Sequence, residues 1–135
     1  MNDVAALKIA SLQRCVARAR EAHRTAGTGF SSDLDRQDAA ILNAIRACDT
    51  AIDLANMAIR KNRLGIPTEN RESFTVLERE GLVDPTLATR LRAMVGFRNL
   101  AVHQYRELDL IIVEHVIQQD LDDLLKFANQ VRAKL

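Results

Sequence analysis

Tryptophan is absent from this 135-residue chain, aromatic residues make up only 4% of it, and glycine (5), proline (2) and cysteine (2) are equally sparse. Sheets lean on aromatic side chains and on glycine- and proline-bearing turns, so the shortage of both argues against a β architecture. Two cysteines cannot build a disulfide framework. Cys15 and Cys48 stand in Ala/Leu-rich helical patterns, without a CxxC pair or the Cys/His spacing of a metal site, and read as buried thiols. No apolar run approaches the roughly 20 residues needed to cross a bilayer. The N-terminal MNDVAALKIASLQRC is amphipathic and charged and lacks the apolar stretch of a signal peptide, so the expectation is a cytoplasmic protein. Nor is there an excess of one sign: 19 basic against 18 acidic residues leave a net charge of +1, and the molecule as a whole is no general polyanion binder.

The remaining composition, 47% hydrophobic and rich in Ala, Leu and Arg, favours long helices. The length suits one domain, residues 1–135, around one core. Val4, Leu7, Ile9, Leu12, Cys15, Val16 and Ala19 follow a three-to-four spacing that predicts a helix to about His23, broken over Thr25 to Gly29. Ser31 or Ser32 then offers an N-cap for a longer helix to about Lys61, with Ile41, Leu42, Ile45, Cys48, Ile52, Ala55 and Ile59 on its apolar stripe. After the connector Gly65-Ile-Pro67-Thr68, a short helix from Asn70 to Glu80 is stopped at Gly81. Asp84-Pro85 pairs a capping carboxylate with proline at the first helical position and starts a fourth helix. Asp109 starts the last, running to about Lys134 with Ile112, Val116, Leu121, Leu124 and Leu125 inward. The fold expected is all-α: an antiparallel bundle of four main helices plus a short one.

Charge is unevenly distributed along this bundle. Between Asp84 and Glu107 there is no acid, while Arg90, Arg92, Arg98 and Arg106 are all basic; from Glu107 to Asp123 the balance reverses. The basic stretch either grips phosphates, with Arg90, Arg92 and Arg106 as candidate RNA-binding residues, or forms a solvated helix face. Within it lies RNLAVHQY, residues 98–105, which packs Arg98, Asn99, His103 and Tyr105 into eight positions. RNA carries its own nucleophile, the 2′-OH, so its cleavage needs no metal and no cofactor if a base takes that proton and an acid protonates the leaving 5′-oxygen. Histidine, titrating ordinarily near pH 6.5, suits both roles. The arginine fork suits the phosphate and its developing charge. Arg98 and His103 are therefore the candidate catalytic pair, and Asn99, one turn before His103, can orient the imidazole or contact the phosphate. Tyr105 either stacks on a base or accepts a covalent modification.

At 100° per residue, Arg98 and His103 project about 140° apart. Their cooperation requires the reach of Arg98, a break in the helix, or a second protomer, and the second protomer is favoured: Val95 and Val102 lie amid the polar arc, as a homodimer contact would need. His23 and His115 stand in charged helical contexts without useful acid partners and read as surface residues.

RNLAVHQY resembles the RxxxxHxY motif of the HepT-type toxins of the HEPN superfamily, with Arg98, His103 and Tyr105 in the defining positions and Asn99 matching the more general RNxxxH form. GFRNLAVHQY followed by Asp109, the preceding IPTENRESFTVLEREGLV and the long helix carrying Asp53 extend the likeness over most of the chain. The resemblance implies a homodimeric helical bundle in which two motifs line a cleft, acting as a metal-independent toxin ribonuclease on transfer or messenger RNA. It also implies a cognate antitoxin resembling a minimal nucleotidyltransferase (MNT), which inactivates the toxin by AMPylation of the motif tyrosine, here Tyr105. Related bundles resemble non-catalytic substrate- or nucleotide-binding subunits of such transferases, which is the competing reading, and a purely structural helical dimer is a third.

Overall fold

A computed structural model describes residues 1–135, and it contains helices and turns but no strand. Helix α1 spans Asp3–Ala26, α2 Leu34–Lys61, α3 Asn70–Arg79 and α4 Pro85–His103; the C-terminal rod consists of α5 (Leu110–His115), a π turn (Val116–Asp120) and α6 (Leu121–Val131). No helix is long and apolar enough to cross a membrane.

Helices α1 and α2 form an antiparallel hairpin, and its close approach follows from an alanine stripe: Ala40, Ala44, Ala47, Ala51, Ala55 and Ala58 on α2 are all fully buried. The Lys8–Asp53 ion pair, at 3.0 Å, ties the open end of this hairpin. Its turn is a 3₁₀ segment, Gly27–Ser32, that buries Phe30. The capping serines expected there give way to Asp33, whose carboxylate accepts from Arg36 N at 3.0 Å; Ser32 instead donates its hydroxyl to Gly29 O, because the 3₁₀ turn extends the connection beyond both serines.

Two boundaries follow the sequence closely. Asp84 accepts from Leu87 N at 2.8 Å with Pro85 at the first helical position, and Gln130 of α6 binds its other oxygen at 2.7 Å, so one residue both starts α4 and fastens it to the rod. Gly81, at φ 75°, takes the left-handed conformation that ends α3. The last helix departs from expectation. Its π turn widens the helix by one residue, which keeps Val113, Val116, Ile117, Leu121 and Leu124 buried on one side while Ile112 turns outward. Arg20 of α1 donates to the Ile117 carbonyl at this turn and pairs with Asp122 at 2.6 Å. Glu114 receives His23 at 2.8 Å. His23 is thus no free surface residue: it is largely buried, its ring edge-on to Phe30 at 4.8 Å. His115 is exposed and reaches Asp120 at 3.1 Å, an i,i+5 contact that π geometry brings within range.

All the long helices contribute to a single apolar cluster, in which Phe74 of α3 and Phe127 of α6 meet edge to face at 5.3 Å. Both cysteines are buried and unpaired. Leu42 departs from its expected inward position and stands exposed, as do Val4 and Leu7 on the outer face of α1. Phe127→Ala should cost about 3–5 kcal/mol, since it removes a fully buried ring and its partner contact. Leu7→Ala should stay within about 0.5 kcal/mol. Urea unfolding followed by far-UV circular dichroism separates the two.

Candidate active site

The end of α4 and the 3₁₀ turn that follows it, Tyr105–Glu107, carry the whole motif. The helix runs unbroken from Arg98 through His103 and ends there, with Gln104 leaving helical geometry at φ −136° and ψ 47°. The break in the chain comes after the histidine, so no kink brings Arg98 and His103 onto one face.

Two carboxylates from α2 hold the motif. Asp49 accepts from Arg98 Nε at 2.7 Å. Asp38 accepts from the Tyr105 hydroxyl. Eleven residues separate these aspartates, about three turns, so they fall within roughly 20° of each other on one stripe of α2, and the antiparallel direction of α4 matches the first to the start of the motif and the second to its end. Arg98 also donates from Nη1 to Asn99 Oδ1 at 3.2 Å. Two of its five N–H donors are thus used to fix the guanidinium, and three are left for a ligand. Asn99 therefore braces the arginine rather than the imidazole. His103 is exposed, and the histidine hydrogen bonds of this chain belong to His23 and His115.

The local electrostatics divide the site in two. Around Arg98, the buried Cys48 thiol bonds weakly to Met94 O at 3.9 Å and is pushed up to about 12 by burial and by the neighbouring Asp49 charge, which Arg98 only partly offsets. It is an inert part of the wall. At the other end, loss of water around the Tyr105 hydroxyl, the hydrogen bond to Asp38 and the Asp38 charge push the phenol up to about 12.

The basic residues expected to meet RNA have separate fates. Arg92 is tied to Glu78 at 2.8 Å and to the hydroxyls of Thr75 and Thr89, which makes it a brace between α3 and α4. Arg90 faces Asp123 of α6 at 3.6 Å, with Asp123 buried. Arg106 is exposed in the 3₁₀ turn. A further cation emerges from α3. Arg71 donates to the Arg92 carbonyl at 3.4 Å, and its guanidinium crosses α4 so closely at Gly96 that a Cβ there would lie 2.7 Å from Nη2. With Thr68, Glu69, Asn70, Val95 and Asn99 it lines a groove of about 310 Å³ beside the motif. Composition gave no hint of Arg71; the only sequence signal was a glycine inside an otherwise good helix, which commonly marks close approach. The two α2 aspartates had a signal too, their shared stripe, although nothing in the sequence pairs that stripe with the motif.

Of the two valines expected at a protomer contact, Val95 is buried in the chain's own core, whereas Val102 is exposed. Leu42, between Asp38 and Asp49 on the α2 stripe, is exposed as well. Asp53, on the same helix, takes no part in the site and pairs with Lys8.

Residues 12–131 match the family model described as ribonuclease HepT-like. The chain is 42% identical over 134 residues to the mRNA nuclease HepT of Shewanella oneidensis, covering 99% of this chain and 100% of that one. It is 28% identical over 89 residues to a putative RNase of Archaeoglobus fulgidus, covering 66% of this chain and 67% of that one. Among solved structures, it superposes with a TM-score of 0.92 on the tri-AMPylated Shewanella oneidensis HEPN toxin in complex with MNT antitoxin, at 42% identity and with 98% and 99% of the two chains covered. A toxin–antitoxin complex with AMP-PNP gives a TM-score of 0.91 at 41% identity, covering 97% and 99%. The helical order, the motif at the end of α4 and nearly end-to-end similarity agree: this chain belongs to the ribonuclease HepT-like family of HEPN proteins.

Proposed function

We propose that the chain is the toxin of a toxin–antitoxin pair, a cytoplasmic, metal-independent endoribonuclease acting as a single domain in a homodimer. The observation that carries this reading is the division of the motif on one straight helix: the Arg98 guanidinium is fixed by Asp49 and Asn99 with donors to spare, while the His103 imidazole stands open at the helix end. An arginine turned toward α2 and a histidine about 140° away do not serve one phosphate from one chain. Two copies related by a twofold axis give two imidazoles and two guanidinia around one cleft. One His103 takes the 2′-OH proton, the 2′-oxygen attacks phosphorus, and the other His103 protonates the departing 5′-oxygen. Arg98 stabilises the charge on the phosphoryl oxygens. Exposed Val102 and Leu42 supply the apolar centre of the contact. Arg71 and Arg106 hold the flanking backbone electrostatically, whereas Arg90 and Arg92 act mainly within the fold. The name of the Shewanella relative favours messenger RNA as substrate. The AMPylated relative in complex with its MNT antitoxin supports control by a cognate nucleotidyltransferase, with Tyr105 as the acceptor of AMP. AMP there would add bulk and negative charge two residues from His103, at the rim of the cleft that the RNA backbone must enter.

In RNA-cleavage assays, His103→Ala should lose about 10²–10⁴-fold in rate, the usual worth of positioned proton transfer, while its circular dichroism and dimer mass stay unchanged. Wild-type rates in that variant would refute the assignment. Val102→Glu should give a folded monomer by light scattering that does not cleave RNA. Arg71→Ala should raise KM with little change in kcat and reduce the salt dependence of RNA binding, whereas Arg92→Ala should lower the melting temperature; both are read by titration over a salt series and by thermal unfolding.

A further inference from the structure

Ribonuclease chemistry makes no use of the bond between Tyr105 and Asp38. Asp38 is exposed in the second turn of α2, and its contrast with Asp49 is informative: Asp49 answers a guanidinium, whereas Asp38 forms no ion pair and bonds only the phenol. A neutral amide or hydroxyl would anchor a tyrosine without leaving a charge uncompensated. Tyr105 is 41% exposed on the short turn after α4, so the residue is reachable from solvent while its hydroxyl already faces a proton acceptor. The phenol, held up at about 12, is protonated at neutral pH, and its oxygen cannot form a bond to phosphorus without shedding that proton during the reaction.

We propose that Asp38 is the general base for the nucleotide modification of Tyr105, so that the toxin carries within its own α2 one of the catalytic residues of its inactivation. The inference rests on the reading that Tyr105 accepts AMP from ATP bound by the transferase. The Tyr105 oxygen attacks the α-phosphorus and forms the new O–P bond. The bond from that phosphorus to the oxygen bridging to the β-phosphate breaks, and pyrophosphate leaves with the electron pair. The phenolic proton passes to the Asp38 carboxylate and from there to water. Protein kinases arrange an aspartate and a substrate hydroxyl for the same purpose. Exposed Arg106, the next residue after Tyr105, places a positive charge close to the incoming phosphates.

Single-turnover transfer from ATP, with the cognate transferase in excess and AMP on Tyr105 followed by intact-protein and peptide mass spectrometry, tests this. Asp38→Asn retains a polar partner for the phenol and cannot take its proton; its transfer rate at saturating transferase should fall at least about 10²-fold, with unchanged affinity for the transferase. Asp38→Glu should recover part of the rate. Circular dichroism checks both variants for folding. Transfer to Tyr105 in wild type at a rate that Asp38→Asn leaves unchanged would overturn the inference and leave the modification reading intact. A deficit that disappears on raising the transferase concentration would overturn it equally, making Asp38 a docking contact. Absence of AMP from wild-type Tyr105 would overturn the modification reading itself, and the inference with it.

Discussion

The pair between Asp49 and Arg98 is where the fold and the site become one structure. Arg98 sits near the end of α4, a helix whose other face is committed to the core through Leu87, Ala88, Leu91, Met94, Val95 and Ala101. Its long side chain would sample many rotamers if left in solvent. The Asp49 carboxylate removes that freedom at Nε, and Asn99 removes more of it at Nη1, so the remaining donors point in a fixed direction before any ligand arrives. Preorganisation of this kind is what lets a cation stabilise charge that develops only in the transition state. The arrangement depends on α2 lying at a fixed height beside α4, and that height is set far from the motif, by the alanine stripe against α1 and by the Asp84–Gln130 clasp between α4 and α6.

A carboxylate next to Arg98 also weakens the attraction of that arginine for an anion. The geometry limits this cost, because Asp49 occupies the Nε edge and Asn99 takes one Nη1 hydrogen, which leaves Nη2 and the other Nη1 hydrogen free. A second limit comes from the wider surface. The acid-free stretch from Asp84 to Glu107 loses much of its charge to Glu78 and Asp123, which bind Arg92 and Arg90. Arg71, arriving from α3, restores positive charge beside Asn99, and it lies close because residue 96 has no side chain. Charge read along the chain and charge presented in space are therefore different quantities here.

Local signals carried much of the fold. Asp84-Pro85, Gly81 and the end of α2 at Lys61 are each set by caps and backbone conformations that involve residues a few positions apart, and the structure agrees with them closely. The π turn was not legible, because it resolves a mismatch between the apolar period of the last helix and the surface it packs on, with Arg20 of α1 meeting a carbonyl at the turn. Val95 illustrates the same limit in the site. On a helical projection it lies among polar residues and looks available to a partner, but the packing of the other helices, unknown from the projection, buries it in the chain's own core. The supporting aspartates escape for a related reason: they stand 49 and 67 residues from their partners, and no periodicity links positions at that distance.

On the reading proposed above, the same two aspartates place the fixed arginine and the tyrosine at separate ends of one motif. Their separation along α2 is about 16 Å at the helical rise, so the Asp49–Arg98 pair and the Asp38–Tyr105 bond sit at opposite ends of the motif. Between them, on the facing stripe, lies Leu42, with Val102 on α4, both exposed. A partner protomer covering these apolar residues would bring its own motif alongside while leaving the Tyr105 turn at the edge of the contact. A transferase could then reach the tyrosine of an assembled dimer, and added phosphate would enter the cleft from its rim. On the proposed reading, negative charge at the rim competes with substrate phosphate for the field of Arg98, and modification need not disturb the fold to stop the reaction.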